Sequence, residues 1–301
     1  MAIIIDGKEI ARKRREESAA RCVALKQRGI SPCLAVVLVG EDPASVSYVT
    51  AKEKALREAG MESRDIRLSA DTGEKTLLDL ITTLNNDTSV HGILVQLPLP
   101  PHINESLVIT AISPSKDVDG FHPVSAGNLI LGRSGFLPCT PHGVLIVLQE
   151  MNIPTAGSHT VVVGRSNIVG KPLASLLIRK DINATVTVCH TGSGDLGRFT
   201  RQADILIAAA GKAQLITADM VKENAVVIDV GVNRVQDSSA KKGYRLTGDV
   251  DFEKVADKAS YITPVPGGVG PMTIAMLLYN VILAAEKIHA AGETQTGTQV
   301  Q

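Results

Sequence analysis

The sequence predicts an α/β protein of two domains, and three observations carry that expectation. Apolar strand-like runs alternate with helical periodicity along the chain. Two of the runs, CLAVVLV at 33–39 and TVVV at 160–163, are continuously hydrophobic, the pattern of strands buried on both faces of a parallel sheet. The second runs straight into a glycine turn and a helix start, a context that sets backbone amides beside a pyrophosphate. The second domain is therefore expected to be a Rossmann-type dinucleotide-binding domain, with a cleft between the two.

The elements follow in order. Ala2–Ile5 reads as a short strand, and Ile10–Arg28 as a helix stopped by Gly29. Strand 33–39 leads through the loop Gly40-Glu41-Asp42-Pro43 to a helix over Ser45–Ala59, stopped by Gly60. Glu62–Leu68 reads as a strand, Lys75–Asn85 as a helix and Val90–Val95 as a strand. The prolines of Gln96-Leu97-Pro98-Leu99-Pro100-Pro101 forbid its continuation. Residues 113–141, rich in Pro, Gly, Ser and Asp, read as a long functional loop. A helix over Gly143–Met151 then connects to strand 160–163, a helix over Leu173–Arg179, and strands at Thr185–Cys189, Asp204–Ala209, Ala225–Val230 and Tyr261–Ile262. Pro271 opens a last helix through Ile288. The expected division is 1–140, completed by helix 271–289, then 141–270, with 290–301 a polar, disordered tail.

Composition narrows the function. With 31 Lys plus Arg against 31 Asp plus Glu, no global basic field draws nucleic acid or anionic lipid. Aromatics are 3% and Trp is absent, so stacking platforms are not expected. Cys22, Cys33, Cys139 and Cys189 are far apart, as reduced core thiols would be. The 7 His show no metal-ligand spacing. The N-terminus is apolar first and basic second, the reverse of a signal peptide. The apolar stretch Ile274–Ala285 is too short to span a bilayer and carries Asn280. A soluble, cytoplasmic protein is expected.

The glycine turn reads G-x-S-x-x-x-G, with Ser166 where a second glycine is usual. An ordinary strand-to-helix turn stays open as a reading. Gly164 to Lys171 is not a P-loop, because its glycines are too far apart and Pro172 stands where Ser or Thr is needed. Gly192–Gly197 spells G-x-G-x-x-G, but the next strand follows too soon for a crossover helix. The second strand ends at Cys189-His190-Thr191 with no carboxylate for a ribose hydroxyl, and Arg165 sits in the turn. A guanidinium without that acid suits a 2′-phosphate, which favours NADP over NAD.

Tyr48 and Lys52 lie four residues apart on a predicted helix and share a side. Taken alone, they read better as a solvated helix face. Gln96 ends a buried strand, where α/β sheets bind ligands. Asp117 and Asp119 flank Val118, so one can face a ligand while the other braces the loop.

These residues fall within a longer pattern. Tyr48–Lys52, HGILVQLPLP at 91–100, KDVDGFHP at 116–123, PCTPHG at 138–143, VVVGRSNIVGKP at 161–172, ADILIAAAGK at 203–212, VVIDVGVN at 226–233, GDVDF at 248–252 and YITPVPGGVGPMTIAMLL at 261–278 occur in this order. Together they closely resemble the bifunctional methylenetetrahydrofolate dehydrogenase/cyclohydrolase family, in its compact two-domain form. The resemblance implies NADP-dependent oxidation of 5,10-methylenetetrahydrofolate to the 5,10-methenyl form, then hydrolysis to 10-formyltetrahydrofolate. By similarity Lys52 is catalytic, Tyr48 stacks near the folate ring, Gln96 supports Lys52 and Asp119 holds the pterin's amide edge. Val95, Leu97 and Pro264, Val265, Pro266, Gly267 and Gly268 line the folate site. Gly164, Arg165, Ser166, Thr191 and Val232 contact NADP, with Thr191 standing where the family often has Ser. A homodimer, purine biosynthesis as the destination and no metal are implied in the same way. Two other readings stay open: an NAD(P)-dependent dehydrogenase of amino or hydroxy acids, and a silent folate- or nucleotide-binding module.

Overall fold

The computed structural model describes residues 1–240 and 243–296. In chain order its elements are β1 (Ile3–Ile4), α1 (Gly7–Gln27), β2 (Cys33–Val39), α2 (Pro43–Glu58), β3 (Glu62–Leu68), α3 (Glu74–Asn86) and β4 (Gly92–Val95). Then come α4 (Glu105–Ala111), α5 (Pro123–Ile130), α6 (Cys139–Glu150), β5 (His159–Val163), α7 (Gly170–Leu177), β6 (Thr185–Cys189), α8 (Gly197–Thr200) and β7 (Ile205–Ala208). The last are β8 (Val226–Asp229), β9 (Asn233–Gln236), β10 (Tyr244–Thr247), α9 (Phe252–Ala256), β11 (Tyr261–Ile262) and α10 (Val269–Thr296).

The chain divides into two compact units, Lys13–Asn128 with Ser134–Leu137 and Ile274 onward, and Met1–Arg12 with Leu129–Arg133 and Pro138–Thr273. This corrects the expected division at the start of the chain. Residues 1–12 do not join residues 13–128; β1 pairs in parallel with β11 and so extends the other unit's sheet. A two-residue strand carries no periodicity from which its partner can be read.

The unit built on residues 13–128 has a three-stranded parallel sheet in the order β3-β2-β4. Every residue of β2 is buried, as its unbroken apolar run predicts. Cys33, Ala35, Val37 and Val39 of β2 pack with Leu77, Ile81 and Leu84 of α3 and with Ile93 and Val95 of β4. The edge strand β3 is mostly exposed and charged, which blunts further strand pairing. Gly29 and Gly60, at φ of 79° and 75°, take the left-handed conformation that ends α1 and α2.

The other unit has a six-stranded parallel sheet in the order β1-β11-β8-β7-β5-β6. From β5 the chain adds β6 on one side and β7 on the other. The order therefore reverses at β5, and the carboxyl ends of β5 and β7 form a topological switch point. Only the four-residue α8 lies between β6 and β7, so Gly192–Leu196 is a loop, with Gly197 opening α8, and no crossover helix follows the glycines.

Several elements escape the sequence pattern. The expected loop 113–141 contains α5 and the start of α6, and α4 precedes it. The hairpin of β9 and β10 is antiparallel and joined through residues 237–243. The last helix starts at Val269 and continues through Thr296, past the expected end at 289. Residues 290–296 of the expected disordered tail are therefore helical, and 297–301 lie outside the described residues. That extension makes Val269–Ala290 long and apolar enough to cross a membrane by length and composition, contrary to the expectation from 274–285. In this fold, however, 61% of its most apolar window is buried within the protein. The four cysteines are buried and unpaired with one another.

Asn280 is the polar exception on α10. It is buried, and its Nδ2 donates to the carbonyls of Val118 at 2.8 Å and Leu137 at 3.0 Å. It thus fixes the backbone of the 116–120 loop from beneath. Asn280→Leu should destabilise the protein by about 2 kcal/mol, because a buried carbonyl and a half-buried one lose a donor. Denaturant unfolding of the two proteins measures this; equal midpoints would remove Asn280 from the account.

Candidate active site

Helix α2 begins where Asp42 Oδ2 accepts the Ser45 amide at 2.8 Å and Pro43 supplies a preset first residue. Its buried residues are Ser45, Val49, Lys52, Ala55 and Leu56, spaced three or four apart. Lys52 is therefore the one charged residue of this buried stripe, only 9% exposed. Tyr48, one turn before it on the same side, is 48% exposed. The solvated-face reading of the pair fails for Lys52.

Gln96 follows β4, and its amide donates to Val37 O at 2.8 Å, which continues the ladder with β2. Its side chain is held at both ends. Nε2 donates to Leu97 O at 2.7 Å, and Oε1 accepts from Lys52 Nζ at 3.0 Å. The backbone of β4 also accepts the following loop, with Ile93 N bonded to Lys116 O at 2.9 Å. Lys116 is buried and spends its ammonium on the carbonyls of Leu84 and Asp87. Val118 packs so closely on Gly92 that any side chain there would overlap it.

The two aspartates of this loop divide as alternation suggests. Asp117 braces: its carboxylate accepts the amides of Phe121 at 3.1 Å and His122 at 2.9 Å and the Ser125 hydroxyl at 2.6 Å. Asp119 makes no such bonds among the described residues and lines a small pocket with Ile93, Val95, Leu97 and Phe121. Burial pushes its carboxyl up to about 6; the Lys52 charge opposes this and the Asp117 charge adds to it. The structure so brings together Lys52, Gln96 and Asp119, with Val95 and Leu97 beside them, from α2, the end of β4 and one loop.

The remaining predicted residues lie in the other unit. Gly164 ends β5 at φ 131°, and a Cβ there would overlap Ala209 O beyond β7, so only glycine fits at the switch point. Arg165 is exposed and forms no ion pair among the described residues, so its guanidinium is available to an anion. Ser166 acts locally, because its Oγ accepts the amides of Val169 at 3.1 Å and Gly170 at 3.4 Å, ahead of α7. Two amides expected for a ligand are thus already bonded. Thr191 is exposed after β6, and Val232 is 44% exposed after β8. Pro264 to Gly268 follow β11, and Gly7 packs so tightly on Gly268 O that a side chain there would overlap it. Sequence reasoning missed Asp229 and Asp249, which tie the loops after β7 and β8. Burial pushes the Asp229 carboxyl up to about 7, with the Asp249 charge adding to this and the amides of Asp249, Val250 and Gly231 opposing it. Among the described residues no cluster of His, Cys, Asp or Glu is arranged to hold a metal ion.

The chain is similar to known proteins over nearly its whole length. Residues 5–119 match the catalytic domain of tetrahydrofolate dehydrogenase/cyclohydrolase, and residues 138–289 match its NAD(P)-binding domain. A bifunctional protein FolD of Exiguobacterium sibiricum is 60% identical over 286 residues, covering 95% of this chain and 100% of that protein. The crystal structure of the Campylobacter jejuni enzyme, a FolD methylenetetrahydrofolate dehydrogenase/cyclohydrolase, superposes with a TM-score of 0.91 at 51% identity, covering 95% of this chain and 99% of that one. The Trypanosoma brucei enzyme, solved with NADP and an inhibitor, gives a TM-score of 0.91 at 38% identity, covering 95% and 98%.

The raised carboxyl of Asp119 has a signed consequence. Its folded value, about 6, exceeds the ordinary unfolded value of about 4. Its contribution to stability is full below about pH 4 and is lost as pH rises through about 6. Asp119→Asn, which cannot ionise, should therefore gain stability relative to wild type across that window. Thermal unfolding of both proteins from pH 4 to 7 measures the difference; parallel curves would contradict the buried carboxyl.

Proposed function

Since the chain belongs to the tetrahydrofolate dehydrogenase/cyclohydrolase family, we propose that Lys52, held by Gln96, performs the hydrolytic half of that family's chemistry. The protein is a bifunctional enzyme of one-carbon metabolism. It oxidises 5,10-methylenetetrahydrofolate with NADP and hydrolyses the resulting 5,10-methenyl cation to 10-formyltetrahydrofolate. The observation that carries the proposal is the 3.0 Å bond from Lys52 Nζ to Gln96 Oε1 on the buried stripe of α2.

The two reactions ask different things of the protein. Hydride loss from the methylene carbon is pushed by the adjacent nitrogen lone pairs and needs little acid–base help, so positioning is most of what the protein must supply. Asp119, as carboxylate, accepts the N–H groups of the pterin's amide edge. Tyr48 gives the ring a half-exposed aromatic face, and Val95 and Leu97 supply apolar contact. Hydrolysis needs proton transfer. Water adds to the methenyl carbon while the Lys52 amine takes a proton from it. The resulting ammonium then delivers a proton to N5 as the C–N5 bond breaks, and the adduct's hydroxyl gives up its proton to solvent as it becomes the carbonyl of the formyl group left on N10. Gln96 acts by orientation: its oxygen accepts from Nζ and its own amide is locked on Leu97 O. An amino- or hydroxy-acid dehydrogenase would share the glycine turn but has no need for KDVDG at 116–120 or VQLPLP at 95–100.

Bound NADP supplies the hydride acceptor. The residues fit it: Gly164 lets β5 turn tightly against Ala209 at the switch point, Arg165 offers a guanidinium with no ion pair among the described residues, and no carboxylate stands in Cys189-His190-Thr191 at the end of β6 to oppose a 2′-phosphate. Val232 and the Thr191 hydroxyl complete the contacts. Ser166 joins them through the turn it caps more than through its hydroxyl, and Pro264, Val265, Pro266, Gly267 and Gly268 serve the folate.

The same proposal extends to a cytoplasmic homodimer that supplies purine biosynthesis and has neither nucleic acid nor membrane as partner. The balance of 31 basic and 31 acidic residues, the four buried cysteines with no disulfide between them and the burial of α10 support the compartment and the excluded partners, while the homodimer and the destination rest on the family resemblance.

Lys52→Met should reduce methenyltetrahydrofolate hydrolysis by about a thousandfold and slow NADPH formation much less. Assays of both rates on the purified variant decide this, and equal loss of both activities would sink the division of labour. Asp119→Ala should raise the folate KM by about tenfold or more while NADP affinity holds. Weaker NADP affinity with a normal folate KM would contradict the role given to Asp119.

A further inference from the structure

Three loops at the carboxyl ends of β7, β8 and β10 converge on two buried carboxylates. Asp249 is wholly buried. Its Oδ2 accepts the amides of Ala210 at 2.6 Å and Gly211 at 2.8 Å, and its Oδ1 accepts Asn233 Nδ2 at 2.9 Å. Asp229 is 3% exposed, and its carboxylate accepts the amides of Gly231 at 3.0 Å, Asp249 at 2.9 Å and Val250 at 2.9 Å. The backbone is shaped around these groups: a Cβ at Gly231 would overlap the Asp249 carboxylate, and one at Gly248 would overlap that of Asp229. The loop that Asp249 holds starts at Ala209, the residue on which Gly164 rests. The segment held by Asn233 and Gly231 carries Val232 between them.

We propose that Asp249 is a positioning residue for NADP, fixing the loops after β7 and β8 in the arrangement that the cofactor meets. It acts through Ala210, Gly211 and Asn233, because it is buried and its oxygens are engaged. The proposal rests on the reading that Arg165, Gly164 and Val232 contact NADP. The chemistry of its bonds argues for shape over adhesion. A carboxylate buried among neutral amide donors is costly to desolvate, and its bonds here run to the loop after β7 and to the Asn233 side chain at the start of β9. Such a group imposes one arrangement on three backbone segments, which an apolar side chain cannot do.

Asp249→Asn is the incisive substitution. An amide in this place must turn an NH2 either toward the Ala210 and Gly211 amides or toward the Asn233 NH2, so one donor always faces a donor. Calorimetric titration of the purified enzyme with NADP reads the effect. Asp249→Asn should weaken NADP binding by about tenfold and raise the NADP KM alike, leaving the folate KM and kcat at saturating NADP within about twofold. Asn233→Ala, which removes one bond only, should weaken binding by about threefold. Pairing Asp249→Asn with Asn233→Asp restores one acceptor for each donor and should bring NADP affinity most of the way back. A lowered Tm with unchanged NADP affinity in Asp249→Asn would make the residue merely structural and overturn the proposal. Should that variant fail to fold, unchanged affinity in Asn233→Ala overturns it. Arg165→Ala separates the two levels. If it weakens NADP binding while the Asp249 and Asn233 variants do not, positioning alone fails. If none of the three weakens it, the reading of the cofactor site fails as well.

Discussion

A lysine on the buried stripe of a helix must be given polar partners or lose its charge, and the catalytic unit is organised around that requirement. Removing an ammonium from water costs on the order of several kcal/mol. Lys52 recovers part of this from the Gln96 oxygen at 3.0 Å and part from the nearby Asp119 charge. Neither partner is loose. Gln96 is tied by its backbone to β2 and by its side-chain amide to Leu97 O. Asp119 stands on a loop that Asp117 braces, Ile93 pairs and Asn280 supports. A lysine nitrogen with constrained partners is held in one place to take up and return a proton beside a bound substrate, and a freely solvated lysine is not.

The two units solve similar problems by similar means. In one, a buried carboxylate, Asp117, sets a loop so that its neighbour Asp119 can meet a ligand. In the other, Asp229 and Asp249 tie three loops, the ones proposed above to present backbone and Val232 to NADP. In both cases the ligand-facing residue was easier to notice than the group that holds it.

The sequence made much of this legible. Continuous apolar runs marked β2, β5, β7 and β8, because strands buried on both faces leave that mark and no other element of their length does. The missing acid after β6, with Arg165 in the turn, pointed to NADP. Lys52 was visible in principle from the spacing of Ser45, Val49, Lys52 and Leu56, but a lysine reads as solvated until its neighbours are placed. The pairing of β1 with β11 was not legible, since it depends on residues more than two hundred positions apart. Helix α5 was hidden in a segment whose Pro, Gly and Ser suggest loop, although Pro123 is well placed as a first helical residue. Ser166 was recognised as part of the turn, while its hydroxyl's use on Val169 and Gly170 needed coordinates. Asp229 and Asp249 are invisible as a pair, because twenty residues and a hairpin separate them.

The central claim is that Gln96 holds Lys52 in the geometry that hydrolysis requires. Its most direct test is the methenyltetrahydrofolate hydrolysis rate of Gln96→Leu beside wild type, with folate and NADP affinities measured on the same preparations. The account predicts that hydrolysis falls by about a hundredfold while NADP affinity is unchanged and folate still binds. Wild-type hydrolysis in that variant would show that Lys52 needs no support from Gln96, and would contradict the account.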